Sequence, residues 1–204
     1  MIRLYRIPHS TNVERVTLAM AHKGLAAESI VLDPDDRSEV RRISGQDLVP
    51  VIEDGGEVIA DSTEIIKHLE RKYPARPLYP ADPARRAEMD IFIDWFNRVW
   101  KRPPNEIVAE LGKPDPDRAR VRRLGGAITA ALDLFESMLH GRDYLMGDFS
   151  AADCAAFPFL RYALFHPEDD PYLFHQILVD YQPLGDGHPK VKAWITRVDR
   201  HPRL

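Results

Sequence analysis

Leu4-Tyr5-Arg6-Ile7-Pro8-His9-Ser10-Thr11-Asn12-Val13-Glu14-Arg15-Val16 changes its hydrophobic period partway along. Ile2 to Tyr5 alternates as a short strand does. Val13 to Lys23 places Val13, Val16, Thr17 and Met20 on one helical face and stops at Gly24. Between them lies a Ser-Thr-Asn run of helix-capping residues. Working outward, Glu28 to Leu32 reads as a second strand and Asp35 to Ile43 as a short helix. Val51 to Glu53 and Val58 to Ala60 flank a hairpin turn at Asp54-Gly55-Gly56, and Thr63 to Tyr73 is helical through Ile65, Ile66 and Leu69. The order is β-α-β-α-β-β-α. Strands joined by a crossover helix lie parallel and hairpin strands antiparallel, so a mixed four-stranded α/β sheet covered by helices is predicted.

Residues 1–75 therefore form one domain. Residues 76–83 form a linker, because Pro74, Pro77, Pro80 and Pro83 break any periodicity there. Residues 84–204 show no strand pattern and read as an all-helical bundle. Ala84 to Lys101 presents Ile91, Phe92, Trp95, Phe96, Val99 and Trp100 as a wide apolar face, so a central helix is expected, with Trp95 and Trp100 in the core. Pro103-Pro104 ends or bends it. Asp117 to Leu139 repeats Val121, Leu124, Ile128, Leu132 and Phe135 at helical spacing, and Gly125-Gly126 in its middle implies a close helix contact. Ser150 with Asp153 has capping-box spacing and opens a helix that runs over Pro158. A short helix near Tyr172 to Tyr181 and a last one presenting Val191, Trp194, Ile195 and Val198 complete the chain.

The formal net charge is -4, and the arginine runs sit among acidic residues or on helical spacing. Nucleic-acid binding calls for a one-signed surface and is not expected. The single cysteine, Cys154, excludes an internal disulfide and a Cys-x-x-Cys redox centre, and it reads as a small core residue. No apolar run approaches the ~20 residues of a membrane helix. The N-terminus enters a strand directly, and the expectation is a cytoplasmic protein. The histidines are scattered away from ligand spacing, so no metal site is expected. Phosphate loops, dinucleotide fingerprints and nucleophile elbows are absent as well.

Three polar segments remain, all in the first domain: Ser10-Thr11-Asn12, Val49-Pro50 and Asp61-Ser62. Taken singly, the first and last are ordinary helix caps, Asp61 with Glu64 fitting a capping box, and an X-Pro bond is trans in all but ~5% of folded cases. Their order along the chain, followed by a proline linker and a helical bundle, resembles the glutathione transferases over nearly the whole length. In that family the first domain is thioredoxin-like. Leu4 to Val16 looks like the family's first strand and helix, with Ser10 at the serine of theta- and zeta-like members. Val49-Pro50 looks like its cis-proline turn, Asp61-Ser62 like its acidic residue-Ser pair, and Phe149 to Asp153 like its C-terminal capping motif.

The resemblance implies a bound thiol, glutathione or another small one, kept ionised by the Ser10 hydroxyl, with Thr11 and Asn12 as reserve donors. A free thiol is only about 3% thiolate at pH 7, and lowering its pKa by two units needs roughly 2.7 kcal/mol of preference for the anion. One hydroxyl bond to a charged acceptor contributes about 1.5 to 3 kcal/mol. Val49 would offer its main chain to the cysteinyl part, a cis Pro50 would hold that edge open, and Asp61 with Ser62 would take the γ-glutamyl end. Tyr5 lies within the strand and is the weaker activator. Leu48 stands where many members carry a polar partner for the glycyl carboxylate, with Gln46 or Lys23 as substitutes. The co-substrate would be a small hydrophobic electrophile lying against the helix of Ile91 to Trp100, the reaction conjugation or a maleylpyruvate-type isomerisation, and the assembly a homodimer. The alternative is a non-catalytic interaction module on the same fold.

Overall fold

The computed structural model describes residues 1–204. The chain forms two compact units, Met1–Pro80 with His201–Leu204, and Ala81–Arg200. The first contains β1 (Ile2–Arg6), α1 (Thr11–Lys23), β2 (Ala27–Val31), α2 (Ser38–Ser44), β3 (Val51–Asp54), β4 (Glu57–Ala60) and α3 (Ser62–Lys72). The sheet order is β2-β1-β3-β4, with β1 parallel to β2 and antiparallel to β3, and β3 antiparallel to β4. Strand alternation sorts the core into two layers. Ile2, Leu4 and Ile52 face Val16 and Met20 of α1 and Ile65 and Leu69 of α3. Tyr5 and Val51 point the other way, onto Val40 of α2 and Leu32, which follows β2. The thioredoxin-like arrangement and mixed sheet are those expected from the sequence.

Asp54, at the hairpin end of β3, ties the sheet to α3. Its buried carboxylate lies 2.9 Å from His68 Nε2 and 3.0 Å from Lys72 Nζ, and accepts the Tyr73 hydroxyl at 2.9 Å. Burial pushes this carboxyl up, but the bonds from His68, Lys72 and Tyr73 outweigh it and hold it below the ordinary range. A depressed folded pKa favours folding above the unfolded value near ~3.9, and that contribution is lost as pH falls further. Asp54→Asn should therefore lower stability by about 2 kcal/mol at pH 7, where one partner of a buried pair is removed, and by less near pH 3. Urea midpoints at the two pH values check this; an equal loss at both would refute the assignment.

The second unit contains α4 (Pro83–Trp95), which continues as a π turn over Phe96–Trp100, then α5 (Arg102–Leu111), α6 (Arg118–Met138), α7 (Ala151–Leu160), α8 (Leu173–Tyr181) and α9 (Pro189–Asp199). The wide apolar face expected of the Ile91 to Trp100 region is narrower in the structure. Phe92, Phe96 and Trp100 turn inward, with Phe96 stacked on Trp100 at 4.5 Å and both against Phe135 and Phe159. Trp95 is only half-buried, while Ile91 and Val99 are 70% and 55% exposed. The π turn explains the selection. Residues four apart overshoot a full turn in an α-helix and fall short of one where the turn widens to i→i+5 bonding, so the two drifts offset and one row faces the core while the other leaves it.

Pro103-Pro104 separate two helices rather than ending the helical stretch: they occupy the first turn of α5, where a missing N–H costs nothing. The close approach expected at Gly125 is present, since a Cβ there would lie 2.1 Å from the Tyr181 ring of α8, whereas Gly126 faces open space. Cys154 is buried. The Ser150–Asp153 capping box forms at the start of α7. Its carboxylate also accepts the Leu145 N–H at 3.0 Å and the Trp194 indole N–H at 2.8 Å, so it fastens a loop and α9 to that helix.

Candidate functional site

The strand register brings the three polar segments to one end of the sheet. Tyr5 pairs with Val51, and Val51 with Ala60, so β1 leaves, β3 enters and β4 leaves at the same edge. Ser10 follows β1 by four residues, Pro50 immediately precedes β3, and Asp61 immediately follows β4.

Ser10 caps α1. Its backbone is extended (φ -70°, ψ 114°) and its Oγ accepts the Val13 N–H at 3.3 Å. An oxygen that accepts from the helix still has its own proton to donate, directed away from the helix end. The residue is half-buried, whereas Thr11, the first residue of α1, is 7% exposed and Asn12 is half-buried. Tyr5 is buried, and its hydroxyl donates to Glu53 at 2.6 Å. Burial and the neighbouring Glu53 carboxylate push that phenol up to about 12. It is a poor source of stabilisation for an anion.

The Val49–Pro50 peptide bond is cis. Pro50 is buried and Val49 half-buried, and neither the N–H nor the C=O of Val49 is hydrogen-bonded within the chain. The ladder has ended one residue inside, so these two groups form an open edge of the kind that an extended peptide joins as an added strand.

Asp61 caps α3 from an unusual backbone position, φ 69° and ψ 126°. A non-glycine residue at positive φ persists where the surroundings over-determine it. Here the Asp61 carboxylate accepts the N–H groups of Thr63 at 2.8 Å and Glu64 at 3.2 Å. The reciprocal half of the expected capping box does not form: Glu64 pairs with Lys67 at 3.2 Å, on the solvent side. Ser62 is buried, and its Oγ accepts from Arg15 Nη1 at 3.4 Å. Arg15 is 1% exposed and was not anticipated as part of this region. Its signal in the sequence is a cation between Val13 and Val16, within the face that α1 buries.

Both substitutes expected for a glycyl carboxylate partner have other roles. The Gln46 side-chain amide brackets Leu48, donating to its C=O and accepting its N–H at 2.7 Å each, while the Leu48 side chain is 75% exposed. The Lys23 ammonium is buried and paired with Glu70 at 2.6 Å, and it also donates to the C=O of Tyr73 at 2.9 Å. Glu70 in turn accepts the N–H groups of Leu78 and Tyr79. Lys23 therefore anchors the segment after α3. No group of three or more His, Cys, Asp or Glu side chains is placed to hold a metal ion, and no helix is long and apolar enough to cross a membrane.

Comparison with known proteins points to one family. Residues 4–77 match the family described as glutathione S-transferase, N-terminal domain, and residues 118–197 match glutathione S-transferase, C-terminal domain. The chain is 25% identical over 185 residues to a stringent starvation protein A homolog of Pasteurella multocida, covering 90% of this chain and 79% of that one. It is 27% identical over 176 residues to glutathione S-transferase GstB of Escherichia coli, covering 81% and 84%. The crystal structure of the theta class glutathione S-transferase of Xanthomonas axonopodis pv. citri with glutathione bound superposes with a TM-score of 0.75 at 24% identity, covering 98% of this chain and 93% of that one.

Proposed function

The chain belongs to the glutathione S-transferase superfamily, and from that premise we propose that Ser10 activates the thiol of a docked glutathione for attack on a small hydrophobic electrophile. The observation that carries the reading is the shared sheet end: a hydroxyl at the start of α1, an open main-chain edge at Val49 and the capped start of α3. The cysteinyl part of the peptide extends the sheet along Val49, its N–H and C=O exchanging bonds with that residue. The γ-glutamyl carboxylate meets the N-terminal end of α3 and the Ser62 hydroxyl, where the nearby Arg15 guanidinium adds positive charge, and the ligand's amine meets Asp61.

Sulfur then lies at the Ser10 hydroxyl. The hydrogen bond to a charged acceptor contributes about 1.5 to 3 kcal/mol and the α1 terminus ~0.3 to 1 kcal/mol, together about the magnitude that keeps a thiol ionised at neutral pH. Ser10 donates and is never alkylated. The thiolate forms the new carbon–sulfur bond, and the electrophile either loses its leaving anion or, for a conjugated double bond, passes the electron pair to its acceptor and collects a proton. Attack followed by rotation and loss of the thiolate gives isomerisation instead. A cytoplasmic homodimer is part of the same reading: the family supports the dimer, and a single cysteine, free and buried, fits a reducing compartment.

Titration calorimetry with glutathione tests binding. Heat saturating at or below about millimolar ligand is expected. γ-Glutamylcysteine should bind within about threefold of glutathione, because Leu48 is apolar and Gln46 and Lys23 are engaged elsewhere. No heat from either thiol would favour the second reading, a non-catalytic interaction module, for which the closed Gln46–Leu48 bracket is the supporting observation.

A further inference from the structure

The outer side of α9 carries a charge pattern that thiol chemistry does not use. Val191, Trp194, Ile195 and Val198 are buried in the helical unit, which leaves Lys192, Ala193 and Arg200 on the outside. Two adjoining open depressions of about 390 Å³ each run along this side and share Ala193 and Arg197. Their charged lining is five cations, Arg142, Lys190, Lys192, Arg197 and Arg200, and one anion, Asp143. That is a strong local excess in a chain whose formal net charge is -4.

The cations divide into two kinds. Arg197 is held by Asp143, with Nη2 at 2.9 Å from the carboxylate and Nη1 donating to the Asp143 C=O at 2.7 Å, and Lys190 pairs with Glu136 at 3.1 Å. Arg142 Nη1 donates to the Leu145 C=O at 3.3 Å, and these three build the walls. The side chains of Lys192 and Arg200 are exposed and make no hydrogen bond or ion pair, so their charge faces outward uncompensated.

We infer that this groove binds an acidic, extended segment of a partner protein. Lys192 on α9 and Arg200, the residue that caps its C-terminal end, are eight residues apart, about 12 Å along the axis at ~1.5 Å per residue. An extended chain rises ~3.3 Å per residue and presents every second side chain to one side, so carboxylates at i and i+4 match that separation. Ala193 between them leaves room for the segment's main chain. A peptide also suits Asp143, because its main chain carries N–H donors that the exposed carboxylate can accept and that a phosphodiester backbone lacks. Nucleic acid fits less well, because the lining holds no aromatic ring on which a base could stack.

The full chain would be titrated, by fluorescence anisotropy, into a labelled peptide of about a dozen residues with glutamates four apart, into its glutamine counterpart, and into a single-stranded oligonucleotide of equal charge. Saturable binding of the glutamate peptide alone is expected, weakened by added salt and at least about tenfold by Lys192→Glu combined with Arg200→Glu. The double alanine variant should weaken it in the same direction if the glutamate variant does not fold. Tighter binding of the oligonucleotide, equal binding of the glutamine peptide, no saturation, or indifference to both variants would each overturn the assignment.

Discussion

Ser10→Ala should lower kcat/KM for conjugation of glutathione to a halonitroaromatic by about 10- to 100-fold, and should raise the pH at which bound glutathione shows its ultraviolet thiolate band by one to two units. Those figures are the range of a single hydrogen bond to a charged acceptor, about 1.5 to 3 kcal/mol. The substitution also removes the α1 cap formed with the Val13 N–H, which costs about 0.5 to 2 kcal/mol of stability. Ser10→Asp separates the two effects. Aspartate caps a helix well but offers no proton when ionised and places a negative charge beside the sulfur. Stability should return toward wild type while activity stays low. If either variant conjugates at the wild-type rate while folded, Ser10 has no part in ionising the thiol. Thr11→Ala should matter less, because that side chain is buried.

Asp153→Ala should be the most destabilising single change considered, by about 3 to 5 kcal/mol. The carboxylate accepts from the Leu145 N–H, the Trp194 indole, the Ser150 N–H at 2.9 Å and the Ser150 hydroxyl at 2.9 Å. Alanine leaves all four donors buried without an acceptor. Asp153→Asn keeps one good acceptor oxygen and should cost less. Its pH dependence provides the sharper reading. Burial pushes the Asp153 carboxyl up to about 6, against the opposite pull of the Leu145, Trp194 and Ser150 bonds.

Between the ordinary value near ~3.9 and that pKa, the folded state binds more protons than the unfolded one. The contribution of this group to stability therefore falls as pH rises through that window and is constant above it. Wild type should lose stability relative to Asp153→Asn across this range, as read from urea midpoints. A constant difference between the two proteins from acid to neutral pH would show that the carboxyl does not titrate there.

Local rules carried much of the fold and part of the site. Gly24 stops α1 in the left-handed conformation, and Asp61 caps α3. The Asp54-Gly55-Gly56 turn joins two antiparallel strands, and Ser150 with Asp153 forms its box. Each depends on residues within a few positions of one another. The wide face assigned to Ile91 through Trp100 failed because hydrophobic spacing assumes an α-helical turn, and the π turn over Phe96–Trp100 shifts which residues face inward. Helix α5 is not legible in the sequence because two adjacent prolines signal an end or a bend, whereas a first turn accommodates them.

The amino-acid order was enough to assign the strands, every long helix but α5 and most of the caps, since backbone preference and hydrogen-bond satisfaction at an element's ends are settled largely by near neighbours. It was not enough to tell which polar side chains are available to a ligand. Lys23 is bound by Glu70, 47 positions along, Gln46 folds back on Leu48, and Arg15 reaches Ser62 across 47 residues. Whether a charged group is exposed or neutralised depends on groups that meet only when the sheet closes, because burial and pairing are properties of the packed chain.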